Sequence, residues 1–153
     1  WLFNDADYGY TEFYDSIDTI FVGRKTYEQS LTFEEYPYKG KKVYVFTHNA
    51  MEQKKKKTTS DVEYIDKDIP EFVMRLIQQP FSNRDIWLLG GGEILSLFLN
   101  AELVDEIILS VHPIILGKGI PLFKNIKKSV KLRLLESISF ESGLVQLRYC
   151  ILN

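Results

Sequence analysis

The stretch Ile86–Leu99, with the sequence IWLLGGGEILSLFL, decides the fold of this chain. Its first four residues form a continuous apolar run, which is typical of a strand buried on both faces of a parallel sheet. Three glycines, Gly90 to Gly92, follow this run. The apolar-rich segment behind them is typical of a helix that ends near Asn100. We therefore predict a strand, a glycine turn and a helix in succession.

The glycine turn has two interpretations. Glycine lets a ligand approach the main chain closely, and the positive end of the following helix dipole favours a phosphate. The turn is not the dinucleotide fingerprint G-x-G-x-x-G, because Leu95 stands where the last glycine would be. No Lys-Ser/Thr pair follows it either, so it is not a P-loop. From this stretch alone, two alternatives are equally favoured: a phosphate-binding turn, and a turn that only packs a helix on a strand.

A second unit of the same kind lies earlier in the chain. Asp18–Val22 is a β-rich run that ends at Gly23, and Arg24–Ser30 has the pattern of a helix start. Two cations, Arg24 and Lys25, stand in the first turn, where the helix dipole disfavours positive charge. They are explained if an anion joins them, and equally well if they are a solvated pair of surface charges.

The remaining segments predict an α/β domain. Strands alternate with helices through the first two thirds of the chain, which indicates parallel strands joined by crossovers. No helix intervenes between the last three β-rich runs, so the sheet is expected to end antiparallel. The further predicted strands are Lys42–Phe46, Val62–Ile65, Val104–Leu116 (interrupted by Pro113), Val130–Phe140 and Leu144–Leu152, and a further helix is predicted between Asp68 and Pro80.

Composition limits the class of protein. A chain of 153 residues with 45% apolar and 26% charged residues suggests one globular domain. The net charge of −2 argues against a general nucleic-acid binder, and the lysine run Lys54–Lys57 favours a solvated loop. We find neither a membrane-spanning run nor a signal peptide, and the single cysteine, Cys150, allows no internal disulfide or cysteine metal cluster. We expect a cytoplasmic protein without a metal site. Each of the two histidines, His48 at a strand end and His112 in a strand, favours a surface or structural role by itself.

Four segments resemble the dihydrofolate reductase-like superfamily. They are FVGRKTYE, VYVFTHN, IWLLGGGEIL and, most specifically, LVDEIILSVHPIILGKGIPLF. They occur in the family order and cover most of the chain. The resemblance is strongest to the bacterial branch related to the reductase domain of riboflavin biosynthesis.

The resemblance implies a single three-layer α/β/α domain over residues 1–153. Its mixed, mainly parallel sheet would have antiparallel C-terminal strands and would bind NADPH across its carboxyl edge. Family members begin with a central strand and a loop that would precede Trp1. By that analogy the chain is truncated at its N-terminus.

The resemblance also assigns three groups of cofactor-binding residues. One group matches the family segment that meets the cofactor phosphates at a helix start, a second matches the strand end beside the adenosine ribose and its 2′-phosphate, and a third matches the glycine turn under the pyrophosphate. In order, these groups are Gly23, Arg24, Lys25 and Thr26; Thr47 and His48; and Gly91, Gly92, Glu93 and Ile94. Glu93 departs from dihydrofolate reductase itself, in which a cation commonly follows the glycines.

The implied function is an NADPH-dependent reductase that transfers hydride to a pterin- or pyrimidine-like heterocycle. No catalytic residue can be assigned: Asp5 and Asp7 lie near the place of the family's substrate carboxylate, but their spacing favours loop residues. The alternative is a non-catalytic, nucleotide-binding, dimeric protein of the same fold. A homodimer is expected in either case, because Val104–Leu116 and the Val130–Leu152 hairpin alternate weakly and would present apolar residues on both faces. In the branch that the chain resembles, the loop Gly117–Phe123 belongs to the region where subunits meet.

Overall fold

The computed structural model describes residues 6–48, 61–66, 68–78 and 84–152. Asp5, Lys54–Lys57 and Pro80 lie outside these residues. Within them the chain forms helices α1 Tyr10–Ser16, α2 Arg24–Ser30, α3 Ile69–Ile77 and α4 Gly92–Asn100, and strands β1 Ile17–Gly23, β2 Lys42–Phe46, β3 Val62–Ile65, β4 Asp85–Gly90, β5 Glu106–Val111, β6 Lys131–Ser139 and β7 Val145–Leu152. The predicted α/β class is confirmed.

The first four strands form a parallel sheet in the order β3-β2-β1-β4. Strand β1 pairs with β2 on one side and with β4 on the other, and both pairings are parallel. Its residues Ile17, Ile20 and Val22 have no exposed surface, and Phe21 is 2% exposed. This is the burial on both faces that an apolar run predicts for a parallel strand. The run Ile86–Leu89 differs from that prediction: it is half-buried, because β4 lies at the edge of the described sheet.

The last three strands form an antiparallel sheet in the order β5-β7-β6. Strand β5 ends at Val111, so the prediction of a β-rich run as far as Leu116 is wrong beyond that residue. Pro113 explains the early end, because proline lacks the N–H that a strand ladder needs. Just there the Ile114 N–H donates to the His112 carbonyl at 2.8 Å, which closes a tight turn. His112 therefore lies after the strand and not within it, half-buried.

Helices cover both faces of the parallel sheet. One core contains Ile20, Val43 and Val45 of the sheet, with Phe13 of α1 and Tyr27 of α2 packed on them. The other core contains the following side chains of the opposite face and of α3 and α4: Phe21, Tyr44, Phe46, Ile65, Val73, Leu76, Ile94 and Phe98. The domain thus has the predicted helix, sheet and helix layers.

A buried lysine fixes the corner between α1 and β1. Lys41 is 9% exposed, and its ammonium donates to the carbonyl oxygens of Tyr14 and Ile17, each at 2.7 Å. The same ammonium lies 4.4 Å from the centroid of the Tyr14 ring. Carbonyl oxygens at a helix end lack intrahelical partners, so the cation stabilises the end of α1 directly before β1 begins.

Helix α3 begins as the sequence predicts. The Asp68 carboxylate accepts from the Glu71 N–H at 3.0 Å, and Pro70 stands in the first turn. Within the described residues, no helix has the combined length and apolarity to cross a membrane.

Neighbouring residues of α4 provide a matched test of the core. Phe98 is 2% exposed and its ring lies 5.5 Å from those of Phe21 and Phe46, whereas Leu97 is 45% exposed. We expect Phe98→Ala to lower the free energy of unfolding by about 3–5 kcal/mol, through lost burial and a residual cavity. Leu97→Ala should lower it by about 1 kcal/mol or less. Urea unfolding of both variants measures the difference, and equal losses would contradict this packing.

Candidate functional site

The predicted cofactor residues meet at the carboxyl edge of the parallel sheet. The register pairs Gly23 with Phe46 and Val22 with Gly90, so β1, β2 and β4 end side by side. The segments that follow these three strands are therefore neighbours. The carboxyl edge of a parallel sheet is where ligands bind in open α/β folds.

The turns after β1 and β4 are in direct contact. The Gly91 N–H donates to the Thr26 hydroxyl at 3.2 Å. A Cβ on Gly91 would lie 3.1 Å from that hydroxyl oxygen, so a side chain at this position would crowd the contact. Gly90 has a φ of 104°, a conformation that other residues rarely adopt, and the Gly90–Gly91 peptide bond is cis. The Thr26 hydroxyl thus hydrogen-bonds the glycine turn and leaves little room for a side chain at position 91.

The start of α4 offers backbone donors at the same edge. Its N-cap residue is Gly91, and no side chain caps it. The first N–H groups of a helix have no intrahelical partner and attract an anion. Ile94 is 5% exposed and its side chain belongs to the core beside Phe98, so its backbone N–H is the part that can serve a ligand. The side chain of Glu93 in the same first turn is 80% exposed.

The two predicted cations differ in their surroundings. The Arg24 guanidinium forms an ion pair with Glu28 at 2.8 Å, one turn along α2. Lys25 is exposed. Helix α2 has only seven residues, so few peptide dipoles add up along it. We therefore assign its part in the site to the side chains of Arg24, Lys25 and Thr26 and not to its backbone N–H groups.

The end of β2 brings a third segment to this edge. The Thr47 N–H donates to the Ile65 carbonyl at 2.9 Å, which ties the segment after β2 to β3. His48 Nε2 lies 3.5 Å from Glu93 Oε1, so His48 is joined to the first turn of α4. The structure thus brings His48, which the resemblance assigns to the 2′-phosphate site, into contact with Glu93, which it assigns to the pyrophosphate site.

A contribution that the sequence analysis missed comes from the loop after β5. A Cβ on Gly92 would lie 3.1 Å from the Pro121 carbonyl oxygen and 3.2 Å from that of Leu122. The buried Ser96 hydroxyl donates to the Gly92 carbonyl at 2.7 Å and accepts from the Lys124 N–H at 3.1 Å. The loop is therefore packed against the start of α4. The available signal was the segment GKGIPLF, which we interpreted as part of a subunit contact.

The Asp7 carboxylate forms local hydrogen bonds at the start of α1. Its carboxylate accepts from the Thr11 hydroxyl at 2.6 Å and from the Thr11 N–H at 3.1 Å. These hydrogen bonds lower the pKa of Asp7 below its ordinary value. The geometry agrees with the interpretation of Asp7 as a loop residue. Among the described residues, no cluster of His, Cys, Asp and Glu has an arrangement that could hold a metal ion.

Comparison with known proteins gives a match to a family model and similarity to several proteins. The family model of the RibD C-terminal domain matches residues 15–146. The uncharacterized protein YyaP of Bacillus subtilis (strain 168) is 35% identical over 156 residues, a match that covers 97% of this chain and 82% of YyaP.

Two solved structures show the same fold. The crystal structure of a putative riboflavin biosynthesis protein from Shewanella sp. PV-4 has a TM-score of 0.81 at 24% identity, and the match covers 98% of this chain and 82% of that one. Dihydrofolate reductase from Enterococcus faecalis, complexed with NADP(H) and RAB-propyl, has a TM-score of 0.67 at 16% identity, with 100% and 84% covered.

The hydrogen bond between Thr26 and Gly91 can be tested with a matched pair of variants. Thr26→Val keeps the shape of the side chain but removes the acceptor of the Gly91 N–H, whereas Thr26→Ser keeps the hydroxyl. We expect the valine variant to lose about 0.5–1.5 kcal/mol of unfolding free energy and to accelerate hydrogen exchange at the Gly91 amide. The serine variant should retain slow exchange. Equal exchange rates in both variants would show that the hydroxyl does not hold the turn.

Proposed function

Because the chain belongs to the RibD C-terminal domain family, we propose that it is an NADPH-dependent reductase that transfers hydride to a pterin- or pyrimidine-like heterocycle. The family and its dihydrofolate reductase-like neighbours support a reductase-like role on a heterocycle. The observation that carries the proposal is the convergence of the uncapped start of α4, the Thr26–Gly91 contact and the Arg24–Lys25 cations at one sheet edge. A cytoplasmic location is part of the proposal.

The residues at this edge fit a pyridine dinucleotide. The N–H groups at the start of α4 would donate to the pyrophosphate, as helix starts do for anions. Arg24 and His48 would face the ribose 2′-phosphate, for which charge-assisted hydrogen bonds are the strongest protein contacts. When bound, the nicotinamide supplies the hydride, and the protein orients it and sets the electrostatic environment.

A second candidate function is nucleotide binding without catalysis. The hydrogen bonds from Thr11 to the Asp7 carboxylate favour this second function, because that carboxylate then binds Thr11 and not a substrate. The two candidates share a cofactor site and differ in turnover.

Cofactor titration followed by turnover separates these functions. We expect NADPH fluorescence to change on addition of the full-length protein, with half-saturation below about 100 µM. We then expect a dihydropteridine or an aminopyrimidine to accelerate NADPH oxidation. Saturable binding without any accelerated oxidation would favour the non-catalytic function. Absence of binding would contradict both.

The preference for NADPH over NADH is expected to depend on Arg24. Removing one charge-assisted hydrogen bond to the 2′-phosphate by Arg24→Ala should weaken NADPH at least about tenfold and NADH much less. Arg75→Ala is the control, because Arg75 forms a similar pair with Glu71, but stands in the last turn of α3 and not at its start beside the sheet edge. Equal losses for the two cofactors would show that Arg24 does not contact the 2′-phosphate.

A homodimer is also part of the proposal, and the antiparallel sheet supports it. Residues paired directly across strands share a face, and the register places most apolar residues on one side instead of dividing them between both faces as the sequence predicts. The other side, called the polar side below, carries charged residues together with Ile108, Ile138 and Leu152. The polar side carries the Arg148–Glu106 ion pair. The apolar side carries nine apolar residues that belong to neither core: Ile107, Leu109, Val111, Leu132, Leu134, Val145, Leu147, Tyr149 and Ile151.

Sedimentation of the full-length protein at micromolar concentration tests the dimer. We expect a species of twice the chain mass, which Leu134→Glu converts to a monomer by placing charge on the apolar side. Ile108→Glu is the control, because Ile108 is similarly exposed (45% against 52%) but lies on the polar side. A wild-type monomer would contradict the dimer.

A further inference from the structure

Glu93 and His48 form a bridge across the candidate site. His48 follows β2 and Glu93 stands in the first turn of α4, which follows β4. Because β1 lies between β2 and β4 in the sheet, their contact at 3.5 Å passes over the end of β1, where Arg24 and Lys25 stand. The two side chains are 94% and 80% exposed, so both face the space in front of the edge.

The carboxylate of Glu93 places a negative charge in the first turn of α4, close to where an anion would bind, without making a capping hydrogen bond there. A negative charge in the first turn of a helix interacts favourably with the positive end of the dipole. The same carboxylate is also the partner of the imidazole of His48. A phosphate-bearing ligand would need both of these partners, so Glu93 and the ligand compete for them.

The local charges show how much this competition matters. Arg24, Lys25 and Lys124, whose side chain lies against the start of α4, contribute three positive charges at this edge, and Glu28 and Glu93 contribute two negative charges. Leaving the imidazole aside, the formal charge is +1 with Glu93 and +2 without it. Glu93 therefore halves the formal positive charge of the edge.

We propose that Glu93 is the specificity-determining residue of this edge. Its negative charge lowers the affinity for phosphate groups, so the difference in affinity between phosphorylated and uncharged ligands becomes smaller. This inference rests on the proposed function, since it concerns the same cofactor site. Glu93 acts through its charge. The loss of affinity is therefore expected for every phosphate-bearing ligand and not for an uncharged nucleoside.

Glu93→Gln removes the charge and keeps the shape of the side chain. A unit charge at about 5 Å in water changes binding about fourfold. We therefore expect the variant to bind NADPH and inorganic pyrophosphate about fourfold more tightly than the wild type at low salt. Adenosine should bind both proteins equally. In about 1 M salt, where the Debye length is about 3 Å, the gain should largely disappear.

Glu102→Gln is the matched control. It removes the same charge just beyond the other end of α4, where Glu102 pairs with Lys128. It should leave the affinity for both phosphate ligands unchanged, and thermal unfolding checks that both variants are folded.

Titration calorimetry with the three probes separates the possible failures. Equal or weaker phosphate binding by Glu93→Gln, with measurable wild-type binding, overturns the role of Glu93 and leaves the proposed function standing. A similar gain from Glu102→Gln also overturns it, since net charge would then be the cause. If neither the wild type nor Glu93→Gln binds NADPH or pyrophosphate, the proposed function fails together with this inference.

Discussion

The parallel pairing of β1 with strands on both of its sides is the constraint on which the rest of the structure depends. Ile20 and Val22 point into one core and Phe21 points into the other, all at 2% exposure or less. A strand buried in this way has one possible register, because a shift by one residue would exchange its two faces. The register in turn aligns the ends of β2, β1 and β4, so the candidate site is a consequence of core packing.

The site combines a tightly held main chain with freely presented charges. The glycine turn is fixed by the Thr26 hydroxyl, and the start of α4 is fixed by Ser96 and the loop carbonyls. The charged side chains of Lys25, His48 and Glu93 are exposed in front of this frame. Backbone donors held in place need little reorganisation to meet an anion. Under the proposed function, the exposed charges would raise or lower the affinity for that anion.

Local patterns in the sequence predicted most of the fold. Continuous apolar runs marked β1, β2 and β4, and Asp68 with Pro70 marked the start of α3, because these signals act within a few residues. Such signals do not predict contacts between segments that are distant in sequence. The loop carbonyls at Gly92 and the His48–Glu93 pair join segments that are at least 29 residues apart. The sequence showed these residue types, but it could not show that they meet.

The packing of the loop on Gly92 has an evolutionary consequence. The two atoms nearest to the missing Cβ are backbone oxygens of Pro121 and Leu122, and these are present whatever side chains the loop carries. Changing the loop's residues one at a time therefore makes no room for a larger residue at position 92. The loop main chain itself has to move, by a few tenths of an ångström. Relatives with a side chain at this position should therefore carry a displaced loop, so the two segments are expected to vary as one unit.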